Sequence, residues 1–270
     1  MTKEEIIEIN KKQKEFYNSK KKNTATKIWS SIRHGLIANI RKEIGISNQV
    51  YEKHIEWLGN LNQKKVLDLG CFSGNNLSVY LAENAKEYIG LDLSDVGIHA
   101  LNKKINHIDS AKGIVADFLS DTQFTESNFD VIYAYGVLHH FKNAAVLTDK
   151  LNEKLSNNGF VISYDPLETS FPVKIFRQLY RPFQSDKEWE WPFTKKTYSI
   201  FKSKFEILDK HGVLGKSKWF FLLHLLPFSK EKKLEKGKSW HLQDWNKSKN
   251  SEKHLFTCMH LTMKFQKITN

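Results

Sequence analysis

Arginine is almost missing from this basic chain. Among 270 residues, lysine and arginine total 42 against 30 acids, for a formal charge of +12. Only Arg33, Arg41, Arg177 and Arg181 are arginines. Arginine is the usual tool for planar recognition of phosphates and base edges. The lysines are dispersed, and Asn and Ile are abundant too, which reads as a coding bias of bacterial kind and a solvated basic exterior. A specific nucleic-acid partner is therefore not expected. Cysteine is scarce too. Cys71 and Cys258 make no disulfide framework, so a reducing cytoplasm is expected. The N-terminus has early acids and no signal-peptide apolar core. No apolar run is long enough to span a bilayer. The longest, WFFLLHLLPF at 219–228, contains His224 and Pro227, and reads as core or as a substrate wall, with peripheral membrane contact left open.

What is present is a globular composition, with 40% hydrophobic and 13% aromatic residues. Residues 3–60 read as helices. Ile6, Ile7, Ile9, Phe16 and Tyr17 form one helical stripe, and Ile28, Trp29, Ile32, Leu36, Ile37 and Ile40 a second. Ser47 caps a third helix carrying Val50, Ile55, Trp57 and Leu58. From residue 64, short apolar runs alternate with amphipathic stretches: KVLDLG, EYIGLDL, GIVADF, FDVIYAYGVL and GFVISYDP, with helical patterns between. Such alternation implies an α/β fold with a mostly parallel sheet covered by helices on both faces. After Pro166 the pattern breaks. Pro172, Pro182 and Pro192 are scattered among aromatic residues. A helix (TKKTYSIFKSKF), a strand (FEILDKHGVL) and a Lys/Ser-rich excursion through 250 follow. Within the excursion, 230–238 reads as solvated helix and loop. HLFTCMHLTMKFQKI is expected to be the final strand.

The stretch VLDLGCFSGNN, 66–76, ends an apolar run at an acid and opens a small-residue turn. A dinucleotide fingerprint would need glycines where Phe72 and Asn75 stand, and no Gly-Lys-Ser/Thr follows. Neither a pyrophosphate nor a triphosphate is expected there. Asp92, 24 residues beyond Asp68, can still accept ribose hydroxyls, which leaves a nucleoside without phosphates. Acids recur at the expected strand ends: Asp68, Asp92, Asp117 and Asp165.

Taken together, 66–74, GLDL at 90–93, ADF at 116–118 and FDVIYAYGVLHHF at 129–141 resemble the successive motifs of class I S-adenosylmethionine-dependent methyltransferases. The match is best to the small-molecule branch that includes ubiquinone and sterol enzymes. The resemblance covers 64–166 well and implies a Rossmann-like seven-stranded sheet. It implies that Gly70, Cys71, Phe72 and Gly74 wrap the methionine end of the cofactor, with Asp68 beneath the turn. Asp92 and Leu93 would hold the ribose, Asp117 the adenine amino group between Ala116 and Phe118, and Tyr135 would lie beside the cofactor. The family usually has glycine at position 72. Phe72 is expected to keep negative φ, with its ring filling space beneath the N-terminal helices.

Residues 1–60 are expected to form a lid, and 61–270 the catalytic domain, with cap insertions at about 167–200 and 215–250. Trp29, Arg33 and His34 on the lid, and Arg177, Arg181, Asp186, Glu188, Trp189 and Trp191 in the first cap, are candidate substrate contacts. His139 or His140 is the candidate general base, with Asp165 as orienter or substrate contact. No metal pattern is seen: the histidine pair lacks a third ligand, and His254 and His260 fall on the expected final strand. The reading is methyl transfer from S-adenosylmethionine, giving S-adenosylhomocysteine, to a small molecule, with O-methylation of a sugar or glycan precursor preferred. A lipid, quinone or aromatic acceptor, an RNA acceptor, and a non-catalytic binding module remain alternatives. The oligomeric state is not legible.

Overall fold

A computed structural model describes residues 3–19, 27, 31, 35, 37–120, 122–171, 173–184 and 187–268. Of the expected second stripe, Ile28, Trp29, Ile32 and Leu36 lie outside the described residues.

The elements run α1 (Lys3–Ser19), α2 (Ala38–Glu43), α3 (Ile46–Leu58), β1 (Lys65–Leu69), α4 (Asn76–Asn84), β2 (Glu87–Asp92), α5 (Asp95–Ile105), β3 (Ala111–Val115) and β4 (Phe129–Tyr135). A 3-10 turn, Leu138–His140, leads to α6 (Ala144–Lys154) and β5 (Leu155–Pro166). Then come α7 (Val173–Tyr180), α8 (Lys195–Lys204), β6 (Phe205–Val213), a 3-10 helix (Ser217–Leu225), α9 (Lys230–Asn250), α10 (Glu252–Leu255) and β7 (His260–Lys267).

The strands form one sheet in the order β3-β2-β1-β4-β5-β7-β6. β7 alone runs antiparallel to its neighbours. The order reverses between β1 and β4, which is where an open α/β sheet leaves a crevice beyond its carboxyl ends. Both faces are covered because the strands are apolar on both sides. Trp57, Leu58, Leu81, Leu101 and Tyr133 fill the face under α3, α4 and α5. Leu67, Ile89, Ile132, Leu147, Leu151 and Phe201 fill the face under α6 and α8. A third cluster lies toward the carboxyl ends of β5 and β6. There Ile40, Ile44 and Val50 meet Phe220, Leu223 and Trp245, so the N-terminal helices pack on the late insertion.

Three expectations change. Helix α3 starts at Ile46, after Gly45 in the left-handed region at φ 83°, and Ser47 lies inside its first turn rather than capping it. The excursion from 230 to 250 is one helix, capped by Ser229, not a helix and a loop. Gly237 does not break it: a Cβ there would stand 2.4 Å from the Phe220 ring, so glycine serves close packing. The final strand is shorter than its apolar pattern. Ser251 caps the short α10, which contains His254, and only His260 begins β7. In the 219–228 run, Phe220 and Leu223 are buried while Leu222, Leu225 and Leu226 are exposed.

Candidate active site

The crevice at the β1/β4 switch point holds a cavity of about 330 Å³, within the range of small-molecule sites. Its floor is the turn after β1. Gly70 has φ 70° and Gly74 φ 67°. A Cβ on Gly70 would lie 2.4 Å from the Val137 side chain, so the β1 and β4 turns can approach only with glycine there. Asn75 caps α4 in a reciprocal pair with Ser78, which aims the helix N-terminus at the crevice.

Phe72 departs from expectation. Its φ is +46°, left-handed rather than negative. Two contacts hold it there. Its N–H donates to Asp92 Oδ2 at 2.9 Å, and its ring fills the hole left by Gly97, where a Cβ would meet the ring at 2.6 Å. The ring also faces Tyr17 of α1 at 6.3 Å, so it does pack beneath the first helix.

Asp92 Oδ1 accepts from Ser94 N–H at 2.8 Å. Each oxygen thus accepts from the backbone, and the carboxylate keeps acceptor capacity for a ligand. Burial raises this acid, against the backbone donors that lower it. Asp117 is likewise raised by burial. Its Oδ1 accepts from Leu119 N–H at 2.9 Å, and its Oδ2 from the Asn10 carboxamide at 2.6 Å. Asp68 lies wholly under the turn, receives the Tyr88 hydroxyl at 2.9 Å, and is raised by burial to about 6.

Of the expected cofactor residues, Gly70, Phe72, Asp92, Leu93, Ala116, Asp117 and Phe118 line the cavity. Asp68, Cys71 and Gly74 stand behind it and shape the turn. Tyr135 is not in its lining. The ring stacks on Tyr164 instead, centroids 4.8 Å apart. From α1 the cavity gains Asn10, Gln13 and Tyr17, which the sequence did not single out. Their partners lie far along the chain, and no local pattern marks them.

The two histidines have different places. His139 is buried, with Nδ1 2.8 Å from Asp165 Oδ1. His140 lines the cavity. Its Nδ1 lies 2.7 Å from the Trp189 carbonyl and its Nε2 3.3 Å from the Tyr17 hydroxyl. Trp191 joins the lining, while Trp189 is buried against Phe16. Arg177 and Arg181 donate to backbone carbonyls, of Leu167 at 3.1 Å and of Glu190 at 3.1 Å respectively, and so tie down the cap segment. Glu188 pairs with Lys12 of α1 at 3.1 Å. Trp29, Arg33, His34 and Asp186 lie outside the described residues. Among the described residues no group of three or more His, Cys, Asp or Glu could hold a metal ion, and no helix is long and apolar enough to cross a membrane.

The cavity fits the cofactor that the motifs imply. Two strand-end carboxylates with spare lone pairs suit a diol and an amino group. A glycine turn leaves room for a chain, and apolar side chains flank the space where a flat ring would lie. The turn sequence lacks the Gly-Lys-Ser/Thr of a phosphate cradle.

Comparison with known proteins agrees. A family model described as a methyltransferase domain matches residues 45–207, more than half of the chain. An uncharacterised Haemophilus influenzae protein is 33% identical over 121 residues, 43% of this chain and 48% of its own length. A tRNA U34 carboxymethyltransferase from Pseudoalteromonas atlantica is 31% identical over 112 residues, 41% of this chain and 33% of the relative. The chain thus spans less than half the length of these curated relatives. Among solved structures, a geranyl diphosphate C-methyltransferase from Streptomyces coelicolor aligns with a TM-score of 0.54 at 10% identity, over 82% of this chain and 76% of that one, a likeness of fold. The chain belongs to the methyltransferase-domain family and has the Rossmann-like methyltransferase fold.

Proposed function

We propose that this enzyme methylates a hydroxyl of a small molecule, a sugar or glycan precursor, with His140 as the general base. One observation carries the reading. A backbone carbonyl can only accept, so the 2.7 Å contact with Trp189 fixes the proton of a neutral His140 on Nδ1. Nε2 is then the basic nitrogen, and it faces the Tyr17 hydroxyl at the cavity wall. A neutral alcohol is a poor nucleophile, and a base within hydrogen-bond reach removes its proton as the methyl arrives. S-Adenosylmethionine supplies that methyl on a sulfonium centre. Asp92 and Asp117 orient the nucleoside end, and Gly70 and Phe72 bound the methionine end.

Tyr17, Phe72 and Trp191 give the cavity aromatic walls beside polar groups, which suits a sugar. Helix α1 acts as a cover. Asn10, Gln13 and Tyr17 enter the cavity, and Lys12–Glu188 and the Asn18–Ser94 hydrogen bond of 2.6 Å tie its outer turns down. We assign residues 1–60 this lid role through α1, and 167–200 and 215–250 the role of caps. Two free cysteines suit a reducing cytoplasm.

The test is transfer of labelled methyl to a panel of sugars, glycan precursors, quinones and bulk tRNA. Label in an ether of a sugar, reduced about 10²–10⁴-fold in His140→Gln while S-adenosylhomocysteine affinity holds, is expected. Label in tRNA alone, or normal turnover in His140→Gln, would overturn it.

A further inference from the structure

Arg41 on α2 is a cation without a matching acid. It makes no ion pair to a carboxylate among the described residues, and its Nε is buried with no hydrogen-bond partner. Its Nη2 stands 3.1 Å from Nδ1 and 3.0 Å from Nε2 of His260. Equal distances mean that it stands over the ring face and not on one directed lone pair, because an in-plane approach between the two nitrogens would collide with Cε1. The guanidinium carbon lies 5.8 Å from the centroid of the Tyr164 ring. Tyr164 is the centre of a stack, with Tyr135 at 4.8 Å and 6° on one side and His260 at 5.3 Å and 14° on the other.

The place matters as much as the chemistry. Tyr135 ends β4, Tyr164 is near the end of β5, and His260 opens the antiparallel β7, so all three sit at the carboxyl edge of the sheet. Gly136, one residue from Tyr135 and about 3.8 Å away along the chain, lines the cofactor cavity. Its N–H donates to the Tyr164 carbonyl at 2.7 Å, which locks the stack to the cavity wall. Tyr135 is 44% exposed, so the stack is reachable from outside. Asp165, next to Tyr164, turns its Oδ1 to His139.

A guanidinium with a buried, unpaired Nε–H beside two phenols and an imidazole is a donor-rich site, and a carboxylate or phosphate is its natural complement. We propose that Arg41, Tyr135, Tyr164 and His260 form an anion-binding subsite for the methyl acceptor, taking a phosphate monoester or a carboxylate. This rests on the O-methyltransferase reading and narrows its substrate class to acidic or phosphorylated sugars. The anion is held at the stack while a hydroxyl of the same molecule reaches His140 across Gly136.

Four arginines give a sparse Nε–Hε spectrum, which makes Arg41 directly observable. Protein saturated with S-adenosylhomocysteine is titrated with inorganic phosphate and, separately, with benzoate, against sodium chloride at matched ionic strength. The cross-peak that Arg41→Lys removes should shift saturably with at least one anion and not with chloride. The preferred anion tells phosphate from carboxylate. Tyr135→Phe, a change on a half-exposed ring that keeps the stack, should weaken saturation at least threefold. It serves as the test if Arg41→Lys does not fold. No shift with either anion, the same shift with chloride, or unchanged saturation in Tyr135→Phe would overturn the subsite. Calorimetry with S-adenosylhomocysteine on the same samples separates the two readings, because lost cofactor binding would sink the methyltransferase role while the anion titration still reports on Arg41.

Discussion

Oδ1 of Asp165 lies 2.8 Å from Nδ1 of His139 and 3.1 Å from the backbone nitrogen of the same residue. One carboxylate oxygen therefore fixes both the ring and the turn that carries the neighbouring His140, whose ring lies 4.2 Å away. Asp165 orients the histidine that is buried, and its neighbour faces the cavity. His139 is thus a positioning residue. His139→Ala leaves a buried carboxyl without its ring partner, so a stability loss of about 1–3 kcal/mol in urea is expected. S-Adenosylhomocysteine affinity of the folded protein should change little. A loss below about 1 kcal/mol would mean that the pair does not hold the turn.

Asp92→Asn tests the cofactor site. The carboxylate accepts from Phe72 N–H and Ser94 N–H, one on each oxygen. An asparagine has only one acceptor, so one N–H must face an NH₂ group. We expect S-adenosylhomocysteine binding to weaken by about 1.5–3 kcal/mol, near the scale of a hydrogen bond to a charged group. The melting temperature should fall as well, because the Phe72 turn loses an anchor. Calorimetry and a thermal scan measure the two effects. Unchanged affinity would move the ribose elsewhere.

The crevice turn was legible because its signals are local. Glycines turn at 70 and 74, and acids end β2 and follow β3. The left-handed Phe72 was not legible, because what holds it is tertiary: the Asp92 carboxylate 20 residues away and the hole at Gly97. Gly237 reads as a helix breaker until Phe220 is seen against it. Arg41 gave no sign, since its partner His260 is 219 residues distant. Tyr135 ends β4 as the motif implies, but the ring's direction follows from Tyr164 on the adjacent strand. Arg177 and Arg181, read from the sequence as substrate contacts, donate to backbone carbonyls of their own segment, which no local pattern announces.

Asp68 gives the pH prediction. Burial raises it from an ordinary value of 3.8 to about 6. A raised acid holds its proton longer in the folded state than in the unfolded one. Its contribution is full below about pH 4 and fades as pH rises through about 6. The size is about 3 kcal/mol at 1.36 kcal/mol per pKa unit. Asp165, raised by burial to about 7, acts in the same direction over a wider window. Asp68→Asn keeps an acceptor for the Tyr88 hydroxyl and removes the titration. The difference between variant and parent in urea stability should therefore shift in favour of the variant from pH 4 to pH 6.5. A difference that stays flat would mean that Asp68 titrates normally.

The meeting of the two turns at the crevice floor can be taken apart by a pair of substitutions. Gly70→Ala meets two obstacles. Its φ of 70° is disfavoured for alanine, at about 1–2 kcal/mol, and its Cβ would stand 2.4 Å from Val137 Cγ2. Val137→Ala removes the closest contact, that with Cγ2, but leaves the Val137 Cβ at 2.7 Å and the backbone strain. In a double-mutant cycle, Gly70→Ala should therefore cost less in the Val137→Ala background than in the parent, by about 1 kcal/mol or more. The residual cost should exceed the backbone strain, because the Cβ at position 137 remains in the way. Cofactor affinity should follow the same order, since Gly70 and Val137 both line the cavity. Equal costs in the two backgrounds would show that the β1 turn moves away from β4 without penalty, and the crevice floor would then be set by Phe72 and Asp92 alone.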